Sequence, residues 1–328
     1  MRCLGIESTA HTFGVGIYDD DTGDIVANET SMYTPAEGGI HPREAAEHHY
    51  QESLDVYRQA LAAAGLDPEQ LDCIAFSRGP GMPQSLEVGA VAARSLALTH
   101  DLPLYGVNHV IGHVEIGRHT TGADDPVVLF VSGGNSQVIA YAGGRYRVFG
   151  ETLDIAAGNA LDKLARTLGI PHPGGPEIER RAADGETFHE LSYVVKGMDF
   201  SFSGLLTEAQ RLYDEEEVDA EDLCFSFQEH LYAMLVEATE RALAHLEKDE
   251  VLLTGGVAAN ARLREMVDSM CGQRGAAAFL CPQEYATDNG AMIALQGARR
   301  AQHGDPDDPS ETEVRPDWRP DEVEVGWR

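Results

Sequence analysis

Apolar residues along this chain come in short runs, and the polar clusters between them show where each run stops. The opening run, Arg2-Cys-Leu-Gly-Ile-Glu7, is apolar on both faces and predicts a buried strand. A turn at 8–11 leads to a second strand over 12–18. The Asp19-Asp-Asp-Thr-Gly23 turn leads to a third over 24–30. Three strands joined by short turns predict an antiparallel meander. A helix follows over 42–64, with Pro42 suited to its first turn and Gly65 to its end. The pattern continues with a strand at 71–76, an Ala-rich helix at 84–100, a strand at 104–107 and a helix from about residue 109.

The order then repeats. Runs at 126–131, 137–141 and 145–150 predict a second meander, with Gly143-Gly144 as its last turn. Helices are predicted over 155–168 and 225–247, a strand over 250–254, a helix over 260–271, a strand over 276–280 and a last helix over 287–302. A duplicated order of meander, helix and strand predicts an α/β fold of two actin-like lobes around a nucleotide-binding cleft. This is the RNase H-like plan shared by actin, hexokinase and the large heat-shock chaperones (the ASKHA superfamily). The expected division is lobe I over 1–123 plus 290–303 and lobe II over 124–289, with a polar tail or linker over 304–328. A chain of 328 residues is long for a single core, which agrees with two lobes.

Charge changes the picture of possible partners. The net charge is −31, and the only lysines are Lys163, Lys196 and Lys248. An acidic surface with Arg in place of Lys is the composition of proteins that stay soluble in high salt, a halophilic trait. It argues against autonomous nucleic-acid binding unless a local basic patch or a partner supplies the contacts. Arg43, Arg78, Arg94 and Arg118 lie near the motifs described next. The five cysteines form no Cys-x-x-Cys pair, which suits a reducing cytoplasm. No apolar run reaches membrane-spanning length.

Four motifs carry candidate chemistry. In Asn108-His109-Val-Ile-Gly-His113-Val-Glu115, two histidines at i and i+4 share one helix face and can bind one divalent metal. A zinc-protease helix needs Glu directly after its first His, and here that place is Val110. Phe130-Val131-Ser132-Gly133-Gly134-Asn135 ends a buried strand in a small-residue turn. Such a turn is either an ordinary hairpin or an anion-binding nest of backbone N–H groups. Thr254-Gly255-Gly256-Val-Ala-Ala-Asn260 reads as a strand, a Gly-Gly turn and a helix start, with Asn260 either a helix cap or a ligand to a sugar. Thr287-Asp288-Asn289-Gly290 places a carboxylate at a helix start. It either complements the helix dipole or completes the two-histidine site. Asp162 and the stretch His172-Pro-Gly-Gly175-Pro-Glu-Ile-Glu179 add carboxylates suited equally to ribose hydroxyls or to solvent.

Taken together and in order, these motifs resemble the TsaD family, whose archaeal members are the catalytic subunit of the KEOPS complex. The resemblance rests on Asn108-His-x-x-Gly-His113-x-Glu115, Val131-Ser-Gly-Gly-Asn135, Gly158-Asn-Ala-x-Asp162, Pro173-Gly-Gly-Pro176, Asp199-Phe-Ser-Phe-Ser-Gly204, Gly255-Gly-Val-Ala-Ala-Asn260 and Thr287-Asp-Asn-Gly290. Upstream, Arg78-Gly-Pro-Gly81 and His41-Pro-Arg43-Glu44 also match. The resemblance implies transfer of a threonylcarbamoyl group from threonylcarbamoyl-AMP to the N6 amine of the adenosine beside the anticodon, in tRNAs that read codons beginning with A. It implies His109, His113 and Asp288 as ligands of one divalent metal per subunit: iron(II), with zinc or magnesium as alternatives. It implies Phe130, Val131, Ser132, Gly133, Gly134, Asn135, Asp162, Gly175, Glu179 and Asn260 around an adenine nucleotide or the adenylate. It also implies KEOPS-type partner subunits, including a small atypical kinase that some archaea fuse after this domain. The chain departs from the family at Phe130, where archaeal relatives commonly carry a Tyr near the metal. No Ser/His/Asp or Cys/His nucleophile stands out, so direct transfer without an acyl-enzyme is expected. Three rival readings are a metallopeptidase, a small-molecule kinase and a non-catalytic ATP-binding scaffold.

Overall fold

Each half of the chain builds one five-stranded mixed sheet, and the two sheets repeat the same topology. The computed structural model describes residues 1–35, 39–215 and 217–328. In the first half β1 (Arg2–Glu7), β2 (Thr12–Asp19) and β3 (Asp24–Met32) form the expected meander. Helix α1 (Pro42–Ala64), β4 (Cys73–Gly79), α2 (Pro83–His100) and β5 (Leu104–Asn108) follow. Strands β4 and β5 add parallel to β1, giving the order β3-β2-β1-β4-β5. Helix α3 (His109–Thr121) crosses to the second half. There β6 (Val127–Val131), β7 (Ser136–Ala142) and β8 (Arg145–Glu151) make the second meander.

Next come α4 (Ala157–Thr167), α5 (Gly175–Ala182), a small hairpin of β9 (Val195–Lys196) and β10 (Asp199–Phe200), α6 (Ser203–Asp214) and α7 (Ala220–Leu246). After these, β11 (Glu250–Thr254), α8 (Ala261–Arg274), β12 (Ala277–Leu280), the short α9 (Gln283–Ala286) and α10 (Gly290–His303) complete the elements that bear on the site. The second sheet has the order β12-β11-β6-β7-β8, with β11 and β12 parallel to β6.

The strand reading transfers closely to the structure, and the helix reading less so. Helix α7 starts at Ala220, five residues before the expected start, because Asp219 adopts the extended N-cap conformation and Glu221 and Asp222 fill the first turn. Helix α10 starts at Gly290, because Asn289 caps it by accepting a hydrogen bond from the Met292 N–H. Asp288 therefore stands just ahead of the cap. Helix α6 and the β9–β10 hairpin were not expected. The Lys196-to-Gly204 stretch forms that hairpin and opens α6, and it is pinned by Asp154, whose carboxylate accepts the N–H groups of Phe202 and Ser203.

Helix α10 lies directly on the first sheet. A Cβ on Gly5 or Gly16 would collide with the backbone of Ala294 or Ala291, so only glycine lets the helix come this close. Its other neighbours are α3 and a buried cluster that includes Cys3, Ala75, Val107, Ile116 and Ile293. The opposite face of the first sheet is covered by α1 and α2 around Phe13, Val56, Phe76 and Ala93. The second sheet packs one face on α4 to α8 and the other on α3.

Residues 304–328, expected from composition to be a polar tail or linker, run back over both halves. Asp307 pairs with Leu104, and the Arg315 N–H donates to the Arg78 carbonyl. The Trp318 carbonyl accepts from Asn108 Nδ2 at 3.0 Å. On the second half, Arg319 meets Glu151 and Trp327 Nε1 donates to Glu115 at 3.1 Å. Glu115 is fully buried and is also met by Tyr146, Arg118 and Arg299.

Candidate metal and nucleotide site

The end of β5 starts the site. Asn108 caps α3, its Oδ1 accepting the N–H groups of Val110 and Ile111. This cap fixes the first turn, so His109 and His113 project one above the other on a buried face. Their rings stand 4.7 Å apart and nearly perpendicular. From the other side, Asp288 brings Oδ1 to 3.2 Å from His113 Nε2 and 3.7 Å from His109 Nε2. The donor atoms of the three residues lie within 4.8 Å of one another. Two imidazoles and one carboxylate suit iron(II) or zinc better than magnesium, which prefers oxygen donors. This donor set fits the divalent ion that the sequence suggested.

A carboxylate that the sequence reading overlooked completes the arrangement. Glu7, at the end of β1, is fully buried and places Oε2 3.0 Å from His109 Nδ1. Its Oε1 accepts both the N–H and the hydroxyl of Thr9 at 2.6 Å. A carboxylate behind a metal-facing imidazole holds the proton on Nδ1 and leaves the Nε2 lone pair for the metal. Burial alone would push His109 toward its neutral form, but the charges of Glu7 and Asp288 outweigh it and lift the group to about 9. His113 goes the other way. Burial lowers it, and the nearby His109 charge adds to that, against the pull of Asp288. Burial opposes the charge on Asp288, yet His109 and the hydrogen bond from His113 hold its carboxyl well below the usual range. Phe130 is fully buried, and its ring lies 4.8 Å from that of His113. It offers the site an apolar wall and no oxygen.

The Gly-rich motifs meet at the carboxyl ends of β6 and β11, where open α/β sheets present ligands. In the turn after Val131, the Ser132 N–H donates to the Asn135 carbonyl and the Asn135 N–H to Ser132 Oγ. That leaves the N–H groups of Gly133 and Gly134 with no partner among the described residues. Both glycines are exposed, with open space where a side chain would stand. Gly158, at the start of α4, packs so closely that a Cβ would lie 2.7 Å from both Gly133 Cα and the Ser132 carbonyl oxygen. Gly255, with φ +97°, passes under the Val131 carbonyl in the same way. The two Gly-rich turns are thus in contact.

The remaining candidates ring this turn, each already engaged within the protein. Asp162 on α4 accepts the Gly174 N–H at 2.8 Å and faces His172 Nδ1 at 3.1 Å, which ties down the loop before Gly175. Glu179 on α5 accepts the Ala261 N–H at 2.7 Å. Asn260 is 7% exposed; its Oδ1 caps α8 at Leu263 and its Nδ2 donates to Gln228. Of the two roles open to Asn260 in the sequence, the described conformation carries the cap. His11 faces His172 across the cleft, with ring centroids 6.2 Å apart.

Two meander-based lobes, the first carrying a metal-competent triad and the second two Gly-rich turns in contact, define an actin-like nucleotide-fold protein. Solved structures agree on the fold. HypF of T. kodakarensis superposes with a TM-score of 0.66 at 15% identity, covering 90% of this chain and 47% of that one. An activator of 2-hydroxyisocaproyl-CoA dehydratase from Clostridium difficile, with bound ADPNP, gives 0.57 at 14% identity, covering 92% and 96%. Residues 23–295 match the family model for TsaD, tRNA N6-adenosine threonylcarbamoyltransferase. The curated protein of that name from Archaeoglobus fulgidus is 55% identical over the whole of both chains, and that of Thermococcus kodakarensis 54% identical over the whole of both. The chain belongs to the TsaD family. A further relative, from Methanocaldococcus jannaschii, is named a probable bifunctional tRNA threonylcarbamoyladenosine biosynthesis protein; it is 52% identical, and this chain spans 60% of its length.

Proposed function

We propose that this chain transfers the threonylcarbamoyl group of threonylcarbamoyl-AMP to the N6 amine of the adenosine adjacent to the anticodon, in tRNAs reading codons that begin with A. The observation that carries the proposal is the buried His109–His113–Asp288 triad, backed by Glu7 and set beside the open Gly133–Gly134 turn. In the reaction the amine nitrogen forms a bond to the carbamoyl carbon, the bond from that carbon to the phosphate oxygen breaks, and AMP leaves with the electron pair. The amine loses one proton.

The unpartnered N–H groups of Gly133 and Gly134 are suited to an anionic phosphate. Asp162, Gly175, Glu179 and the cap at Asn260 hold the loops that frame the nucleoside end. When bound, a divalent ion held by His109, His113 and Asp288, iron(II) for preference, supplies Lewis-acid polarisation to an oxygen of the donor. Glu7 keeps the His109 proton on Nδ1, and Phe130 keeps water from that side of the triad. All five cysteines are buried and unpaired, so none is offered as a nucleophile, and a reducing cytoplasm suits them. Among the described residues, no helix is long and apolar enough to cross a membrane. The bifunctional name of the Methanocaldococcus jannaschii relative supports a fused or separate partner, of which a small KEOPS-type kinase is the proposed example. A peptidase reading finds no support, since Val110 stands where the general base would be.

The test is transfer of labelled threonylcarbamoyl to unmodified tRNA, with partner subunits present, by the wild-type chain and by His109→Ala and Asp288→Ala. Transfer by the wild type, lost in both folded variants, is the expected result. A wild-type chain that binds the adenylate and transfers nothing refutes the proposal in favour of a scaffold.

A further inference from the structure

A chain with net charge −31 that acts on RNA must place its few cations with care. Most of its arginines are consumed internally. Of the four that the sequence put near the motifs, Arg78 binds the Glu313 carbonyl and Asp307, Arg94 binds Thr312, and Arg118 binds Glu115 and the Asp124 carbonyl. Arg145, Arg147 and Arg264 are tied to backbone carbonyls, and Lys248 pairs with Asp125. Among the described residues, only the side chains of Arg43, Lys163, Arg166 and Lys196 form neither an ion pair nor a hydrogen bond with another residue.

Three of these four belong to segments that approach one another between α4 and the start of α1. Lys163 and Arg166 are both exposed on α4, three residues apart and so on one face. Lys163 directly follows Asp162, whose partner His172 faces His11 across the cleft. The Arg166 guanidinium reaches over to the other lobe, within 3.2 Å of where a Cβ on Gly39 would stand. Arg43, exposed in the first turn of α1, lies four residues beyond that glycine. Among the described residues, one unpaired cation of lobe I and two of lobe II thus lie near the place where α4 approaches Gly39, in a molecule whose other bases are mostly neutralised. Arg43 was singled out in the sequence; Lys163 and Arg166 were not, because nothing in the sequence shows that α4 meets the loop before α1.

We propose that Arg43, Lys163 and Arg166 form a phosphate clamp that receives the backbone of the acceptor RNA between α4 and the start of α1. This rests on the tRNA-acceptor reading above and adds where the strand enters. Unpaired, solvated cations give up little to bind phosphate, whereas an arginine already paired must first break its ion pair. The clamp draws on both lobes, so RNA bound there bridges them.

The test compares the wild type with Lys163→Gln/Arg166→Gln, with Arg43→Gln, and with Lys196→Gln on the β9–β10 hairpin as a single-charge control matched to Arg43→Gln. Binding of unmodified tRNA is measured by fluorescence anisotropy over a KCl series, and transfer kinetics are measured on the same proteins with partners present. The double variant is expected to flatten the slope of log Kd against log[KCl] by about 1 to 2. It should raise KM for tRNA about tenfold or more with kcat at saturating tRNA and adenylate affinity unchanged. Arg43→Gln should give a smaller change of the same kind, and Lys196→Gln none. Wild-type transfer together with an unaltered salt slope and KM in the double variant overturns the clamp alone. Equal effects from Lys196→Gln overturn it as well, reducing it to bulk charge. Absence of wild-type transfer despite adenylate binding overturns the acceptor reading beneath it.

Discussion

Replacing Glu7 by Gln keeps volume and shape but changes what His109 meets. The carboxylate now accepts from Thr9 through Oε1 and faces His109 Nδ1 through Oε2 at 3.0 Å. In the variant the amide oxygen stays on Thr9, because an NH2 there would confront the Thr9 N–H, a donor that cannot turn away. The amide NH2 then points at His109 Nδ1 and turns that nitrogen into an acceptor. The ring proton moves to Nε2, the atom that faces Asp288, and the lone pair needed by a metal is lost. Losing a carboxylate behind a metal-bound histidine costs about 10- to 100-fold in metal affinity. Because the tautomer is reversed and not merely freed, the upper end, about 2.7 kcal/mol, is expected. The assay is titration of metal-free protein with iron(II) and, separately, zinc, against a chromophoric competitor. Circular dichroism of both proteins controls for folding. A folded Glu7→Gln protein whose metal affinity lies within twofold of wild type would refute the account of Glu7.

Two further expectations concern pH. Asp154 holds the segment ahead of α6 by accepting the Ser201 hydroxyl and the N–H groups of Phe202, Ser203 and its own neighbour Ile155; although partial burial opposes it, these bonds, the one from Ser201 foremost, lower its carboxyl to about 2. Its contribution is complete above the ordinary carboxylate range and fades as pH falls toward 2. Asp154→Asn should therefore cost about 1 kcal/mol in urea melts at pH 7, discounted for its exposure to water, and much less near pH 2. His49 is fully buried on α1 against Phe13, and burial lowers it to about 4. The unfolded chain takes up the proton below about 6.5 and the folded chain does not, so this stabilisation is present above that value and is lost toward pH 4. Melting temperature should fall between pH 7 and 4.5 in the wild type and fall less steeply in His49→Gln; parallel curves would exclude His49 as the source.

The alternation of apolar runs and polar turns made both meanders readable, because buried strands leave an almost unbroken apolar signature. The spacing of His109 and His113 is visible for a similar reason, since helical periodicity is local. Glu7 could not be read in this way: it ends an apolar strand like any turn-opening residue, and its partner lies about a hundred positions away. Helix α6 was hidden because the residues before it spend their polar groups on Asp154, a contact across the fold. The course of residues 304–328 was also illegible. Polar and proline-rich composition describes a strap that borrows its hydrogen bonds from both lobes as well as it describes a free tail.

The two ends of the reaction ride on different jaws. His109 hangs from β5, and Asp288 is anchored by α10, whose backbone lies against Gly5 and Gly16 of the same sheet. The glycine contact thus works as a rivet. The whole triad, with Glu7 behind it, belongs to the first sheet, while the Gly133–Gly134 turn belongs to the second. If one sheet rotates against the other, the separation between metal centre and donor cradle changes while the ligand geometry stays fixed. Ion geometry and donor reach are thus set by separate sheets.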